Sequence, residues 1–171
     1  MARKKHRIER SSLMNVGRRV DYAVRALAYL AGQTQGRVVS RLEIEKSQAI
    51  PASYLSKIMK DLVAAGLLNS HIGAKGGFSL ARAPAAISIK DVYEAVERPL
   101  VLMDCLDQGE LYCSYCGVCT QRSIWDNVQS LVADYLGKVT IRDIADPHGL
   151  KHRLAQPQVG APQGEALNAG N

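Results

Sequence analysis

Apolar residues recur at intervals of three and four along most of this chain, and each such run predicts a helix. Val20, Ala23, Val24, Leu27, Leu30 and Ala31 place one amphipathic helix over 18–33, with Gly32 and Gly36 to end it. Ser40-Arg-Leu-Glu43 reads as a capping box opening a short helix that runs to about Ser47. Gln48-Ala-Ile50 reads as a turn, and Pro51 starts the next helix, where a missing amide costs nothing. That helix turns Leu55, Ile58, Met59, Leu62 and Val63 inward and stops at Gly66. The period then changes. Leu67 to Ile72 can extend, Gly73-Ala-Lys-Gly-Gly77 permits a tight turn, and Phe78-Ser-Leu80 can return as a second strand. Pro84 breaks the chain, and Ser88-Ile-Lys-Asp91 caps a helix that carries Val92, Tyr93 and Val96 inward. Segment 104–119 has no apolar periodicity and reads as a loop. From Thr120 to about Gly137 a long helix carries Ile124, Val128, Leu131, Val132 and Tyr135 on one stripe, and Thr140-Ile-Arg-Asp143 begins a short last turn.

Two short helices joined by a turn and followed by a glycine-rich hairpin predict a mainly α fold with a small β wing, a winged helix-turn-helix over 14–84. A further unit follows at 85–145. Residues 1–13 form a basic arm without caps, and the segment 146–171 becomes rich in Gln, Pro, Gly, Ala and Asn; both are expected to be disordered. The stripe on the long helix is wider than a small monomer can cover. Ile124, Trp125, Val128, Leu131, Val132 and Tyr135 are therefore expected to form a homodimer seam.

Charge sharpens the picture. The net charge is +6, but residues 1–98 carry +9 and the remainder −3, and without 1–13 the first part still carries +5. A basic winged helix-turn-helix points to double-stranded DNA. On the helix from Pro51, the side opposite Leu55, Ile58 and Leu62 shows Ser53, Ser56, Lys57 and Lys60, which can reach base edges and phosphates. His71 and Lys75 flank the wing turn, and Gly76 and Gly77 would let backbone amides approach a phosphate. The plain alternative is an ordinary solvated helix face. No run of about 18 apolar residues occurs, and no apolar core follows the basic start, so neither a membrane span nor a secretory signal is expected and a cytoplasmic protein is.

All four cysteines, Cys105, Cys113, Cys116 and Cys119, fall within fifteen residues. In a reducing compartment, clustered thiols bind metal or do redox chemistry more often than they form disulfides. An iron–sulfur cluster, structural zinc and a thiol switch compete, in that order. Zinc usually takes two short pairs separated by a longer loop, whereas these ligands are bunched. The x2 spacings occur in bacterial ferredoxins, although Ser123-Ile124 stand where a ferredoxin run continues with Cys-Pro.

The stretch Met14-Asn-Val-Gly-Arg-Arg-Val-Asp-Tyr-Ala-Val-Arg-Ala-Leu27 resembles the opening of the IscR/NsrR/RirA family of dimeric winged-helix transcription regulators. The likeness continues through Ser53-Tyr54-Leu55, Gly66-Leu67, Gly73-Ala-Lys-Gly-Gly-Phe78 and Ile89-Lys-Asp-Val92, and resumes from Cys119 through Trp125 to Thr140-Ile-Arg-Asp143. The family chain begins where Met14 stands, so 1–13 is an added arm or an upstream start. The resemblance implies a repressor at a palindromic operator, controlled by an iron–sulfur cluster (4Fe–4S ahead of 2Fe–2S) that senses iron, nitric oxide or redox state, and no enzyme. It makes 85–145 a cluster-binding loop and dimerisation helix. The family ligands fall on Cys105, Cys113 and Cys119, with Cys116 an extra thiol. The IscR histidine position is Arg122 here. The position from which NsrR supplies an aspartate across the dimer is Asp21, which otherwise would be an exposed partner for Arg18 or Arg25. Ser53, Ser56 and Lys57 match the base-reading positions; Ser56 stands where IscR has an acidic residue, so its operator does not carry over. Trp125 and Tyr135 fit a dimer core better than cofactor contacts, and His148 and His152 fit solvent. The alternatives are a zinc-stabilised DNA-binding module without a sensing role and, below it, an iron–sulfur electron-transfer protein, for which no Rossmann glycines, second cluster motif or flavin site speak.

Overall fold

A computed structural model describes residues 16–73, 75–97, 99–108, 113–146 and 148; the arm 1–13 and nearly all of the segment from 147 onward lie outside the described residues. Its elements are α1 (Arg18–Ala31), α2 (Arg41–Gln48), α3 (Ala52–Ala64), β1 (Leu68–His71), β2 (Gly77–Leu80), α4 (Ile89–Val96), α5 (Asp104–Gln108), α6 (Arg122–Lys138) and α7 (Ile141–Ala145), with 3-10 turns at Pro84–Ala86 and Cys116–Val118. The mainly helical fold with a two-stranded antiparallel wing is the one the spacing predicts. Segment 104–119 is a correction: it is not one loop, because Asp104–Gln108 is a short helix and Cys116–Val118 a 3-10 turn. The long helix also starts at Arg122 rather than Thr120.

The core forms where the inward stripes of α1 and α3 meet. Val20, Ala23, Ala26, Leu27 and Leu30 pack with Leu55, Ile58, Met59 and Leu62, and Ile44, Ile50, Ile87, Val92 and Ile141 close the remaining sides. Each fully buried Leu or Ile contributes roughly 1.5–3 kcal/mol, so this cluster dominates the stability of the fold. Ser40 Oγ accepts from the Glu43 N–H at 3.2 Å, but only half of the expected capping box exists. The Glu43 carboxylate instead accepts from Tyr29 Oη at 2.9 Å and Arg37 Nη2 at 2.8 Å, tying α2 to α1 and the loop between them. Ala49, at φ 50°, turns the chain through the left-handed region from α2 into α3. Pro51 is the N-cap of α3 rather than its first helical residue, and its carbonyl accepts from the Tyr54 and Leu55 amides, each at 3.0 Å.

In the wing, Leu68 pairs with Leu80 and His71 with Gly77. Val39 joins the free edge of β2 by two hydrogen bonds: its N–H donates to Phe78 O (2.9 Å) and its carbonyl accepts from Phe78 N (2.8 Å). Gly77 is what permits this approach, because a Cβ there would lie 2.2 Å from Val39 O. Gly77→Ala must therefore push the wing off Val39. We expect a loss of about 1–3 kcal/mol, read as a drop in thermal midpoint by circular dichroism; an unchanged midpoint would contradict the docking of Val39 on β2.

Full capping boxes, Ser88 with Asp91 and Thr140 with Asp143, start α4 and α7. Ser88 and Thr140 bridge, with Ile89 N donating to Val139 O and Ile141 N to Ile87 O. This bridge anchors the C-terminal end of α6 to the core. Nearer its start, α6 is held where the Gln129 side chain accepts from Leu102 N at 2.9 Å.

Candidate nucleic-acid interface and cysteine loop

Helix α3 exposes the face opposite its core stripe. Ser53, Tyr54, Lys57 and Lys60 line a groove of about 550 Å³ together with Arg19 and Asp61, which form an ion pair at 2.7 Å. Lys57 and Lys60 form no ion pair among the described residues. Tyr54 meets Tyr22 edge to face at 5.7 Å, and the Arg25 guanidinium lies 5.7 Å from the Tyr22 ring centre. Arg25 also donates to the Gln48 carbonyl, so this arginine braces the turn between α2 and α3. The sequence-expected residues Ser53, Lys57 and Lys60 thus share one accessible face.

Ser56 belongs to that face but is already engaged: its hydroxyl donates to Ala52 O at 2.9 Å and accepts from Arg41 Nη1 at 2.6 Å. Arg41, the first residue of α2, went unnoticed in the sequence because nothing local links it to α3. In the wing, His71 Nε2 and Ser79 Oγ are 2.9 Å apart, and Lys75 is exposed. The glycines have another reason to be there than the one expected. Gly76 N donates to Gly73 O at 2.9 Å within the turn, and a Cβ on it would meet His71 O at 2.5 Å, so tight closure of the hairpin requires it; Gly77 admits Val39. Ile72 is fully exposed at the wing tip between His71 and Lys75, a position the apolar pattern had assigned only to a strand.

The four cysteines are free thiols. Cys105 lies on α5 and Cys116 opens the 3-10 turn. Cys116, the extra thiol by resemblance, is the buried one, with Sγ 3.7 Å from the Cys105 carbonyl and N–H donating to Cys113 O at 3.0 Å. Cys105 and Cys113 are half-buried and Cys119 is exposed. By donor type, four unpaired soft thiols in one segment suit an iron–sulfur group. The conformation described gathers Cys116 against Cys105 only: among the described residues, no three His, Cys, Asp or Glu side chains converge closely enough to hold a metal ion.

Asp21 stands on the first turn of α1 with its carboxylate 3.5 Å from Arg25 Nη1. It borders an apolar groove lined by Val20, Val24, Ile89, Tyr135 and Leu136, at the C-terminal end of α6. The cysteine segment leads into the other end, about 20 Å away along the helix. Within one chain, Asp21 and the thiols are therefore apart. Helix α6 itself has no buried residue: Leu131 is 64% exposed, Ile124 58%, and Trp125, Val128 and Tyr135 are exposed too, while Val132 is half-buried. On neighbouring α4, burial and then Glu97 push the Tyr93 phenol above its ordinary pKa, so it stays neutral at physiological pH. Among the described residues, no helix is long and apolar enough to cross a membrane.

Known structures share this arrangement. CymR, the global cysteine regulator of B. subtilis, superposes with a TM-score of 0.64 over 79% of this chain and 98% of its own, at 24% identity, a likeness of fold alone. T. potens IscR matches 85% of this chain and 93% of its own at 26% identity, with a TM-score of 0.58. In sequence, the Mycobacterium tuberculosis protein Rv1287, named among the HTH-type transcriptional regulators, is 32% identical over 133 residues, covering 77% of this chain and 81% of the relative. The family model described as "Rrf2: Iron-dependent Transcriptional regulator" matches residues 16–147, and on that extent the chain belongs to the Rrf2 family of transcriptional regulators.

Proposed function

We propose that this regulator is a homodimeric repressor that binds a palindromic DNA operator through α3 and the wing, with affinity set by an iron–sulfur cluster on the cysteine segment. The observation that carries the DNA reading is the accessible face of α3, where Ser53, Lys57 and Lys60 stand unopposed beside a wing bearing His71 and Lys75. Phosphate contacts by such cations fix register and supply most of the affinity, and base edges give sequence preference. The domain division follows: 14–84 holds DNA, and 85–145 holds the thiols and the seam. As DNA binders, such dimers act in the cytoplasm.

The seam is proposed on α6 because Ile124, Val128, Leu131 and Tyr135 repeat at four, three and four residues, the spacing of a coiled-coil stripe, yet all four stay exposed in the isolated chain. If two α6 helices cross antiparallel about a two-fold axis, the Asp21 end of one subunit meets the cysteine end of the other. Cys105, Cys113 and Cys119 would hold the cluster, with Cys116 or Asp21 completing the set. When bound, such a cluster supplies an iron centre that responds to iron supply, nitric oxide or oxidants. The segment 104–119 runs directly into α6, so its ordering is transmitted to the seam and from there to the spacing of the two α3 helices. The iron-dependent family description favours this over a zinc module.

The test of DNA reading is selection of a duplex from a random library by the full-length protein, followed by titration of Lys57→Ala. We expect a loss of roughly 1–3 kcal/mol on the selected duplex and steep salt dependence for both proteins. Selection that yields no preferred sequence, or undiminished binding by Lys57→Ala, would contradict α3 as the reader.

A further inference from the structure

A charged side chain outside α3 is built into its reading face. Arg41 begins α2, immediately after the Ser40 N-cap, and its guanidinium crosses to α3 to donate through Nη1 to Ser56 Oγ at 2.6 Å. The Ser56 proton is directed at Ala52 O, 2.9 Å away. A hydroxyl has one proton and two lone pairs. Here the proton is engaged within the helix and one lone pair holds the arginine, so Ser56 has no donor left for a base edge. Arg41 keeps its other N–H groups, and among the described residues it forms no ion pair: Glu43 is taken by Arg37 and Asp61 by Arg19.

The place where this cation is held has the shape of a strand track. Arg41 and Lys60 stand at the rim of a groove of about 330 Å³ between α2, α3 and the wing, with Met59, Val63 and Phe78 along its floor and Ser70 on the wing side. A helix lying in the major groove with a wing reaching the neighbouring groove leaves one DNA backbone to pass between them. The N-terminal end of α2 adds a favourable field for an anion. A guanidinium offers forked donors that match a phosphate.

We propose that Arg41 grips a DNA backbone phosphate in the groove between α3 and the wing, and that Ser56 is the positioning residue that aims it, not a base reader. This rests on the reading of α3 as the DNA-binding helix. The experiment uses full-length protein and the duplex selected by the wild type, with single phosphates replaced in turn by neutral methylphosphonates. Arg41→Ala is expected to bind about tenfold more weakly, to lose about one unit of salt slope, and to become indifferent to the single methylphosphonate that most weakens the wild type at that track. Arg41→Lys keeps the slope but not the full affinity. Ser56→Ala weakens binding in the wild-type background and has no further effect in Arg41→Ala, because its role runs through the arginine. Equal losses from Ser56→Ala in both backgrounds would restore Ser56 as an independent contact and overturn its positioning role. Relaxed preference at one base pair with an unchanged salt slope in Arg41→Ala would make Arg41 a base reader and overturn the phosphate assignment. Unchanged binding by Arg41→Ala would overturn the whole proposal, while a simultaneous loss in Lys57→Ala would leave the reading of α3 standing.

Discussion

Leu131→Glu is expected to convert the protein into a folded monomer that no longer holds its operator tightly. Leu131 lies at the middle of the α6 stripe and is 64% exposed in the isolated chain, so a carboxylate there costs the single subunit little. In a two-fold seam the same residue is buried twice, once from each side. Each copy would forfeit roughly 1.5–3 kcal/mol of apolar burial and would bring an unpaired charge into a low-dielectric contact at a further cost of several kcal/mol. The sum exceeds what a small seam can supply. For a dimer that engages two half-sites as proposed, dissociation would lower operator affinity by roughly 10²–10⁴. Sedimentation velocity reads the mass, and far-ultraviolet circular dichroism confirms that the core around α1 and α3, which α6 does not enter, remains folded. A variant that sediments as a dimer would place the seam elsewhere, and one that unfolds would make α6 part of the core.

The second large effect concerns the thiols. Under anaerobic reconstitution, Cys105→Ala, Cys113→Ala and Cys119→Ala should each lose most of the bound iron and sulfide, since removing one of the soft anionic ligands leaves an iron without its thiolate. Within one chain the two candidates for the remaining ligand have different surroundings. Cys116 is buried against Cys105, whereas Asp21 is held by Arg25 and sits by the far end of α6. If Cys116 completes the set, Cys116→Ala shortens the lifetime of the cluster in air and Asp21→Ala leaves it unchanged. The opposite pattern, with Leu131→Glu mimicking Asp21→Ala, would assign the ligand to Asp21 across the dimer. Unchanged iron content in all five variants would remove the cysteine segment from metal binding altogether.

The helices of the DNA-binding unit were legible because their apolar faces repeat over many turns: Val20 to Leu30 and Leu55 to Leu62 mark α1 and α3 unaided. Glycine spacing likewise announced the wing. What the sequence hid was set by contacts distant along the chain. Glu43 fits a capping box by spacing, but Tyr29 and Arg37 draw its carboxylate away. Gly77 looks like a phosphate-approach glycine until Val39 is seen against it. Arg41 and Ser56 are fifteen residues apart and meet only because the turn at Ala49 folds α2 back on α3. Helix α5 spans five residues, too few to show a period, so it vanished into the expected loop. The burial of Cys116, which the spacing made the odd thiol out, depends on that helix.

Metal occupancy of the cysteine segment is proposed to set the affinity of the α3 face for DNA. Its most direct test purifies the full-length protein without oxygen, counts iron and acid-labile sulfide per chain, and titrates the selected duplex at fixed salt before and after the iron is removed by chelation. We expect iron and sulfide in equal amounts, visible absorbance that chelation bleaches, and an affinity that changes at least roughly tenfold with it. Protein that carries zinc without sulfide, or a duplex affinity that is the same with and without iron, would contradict it.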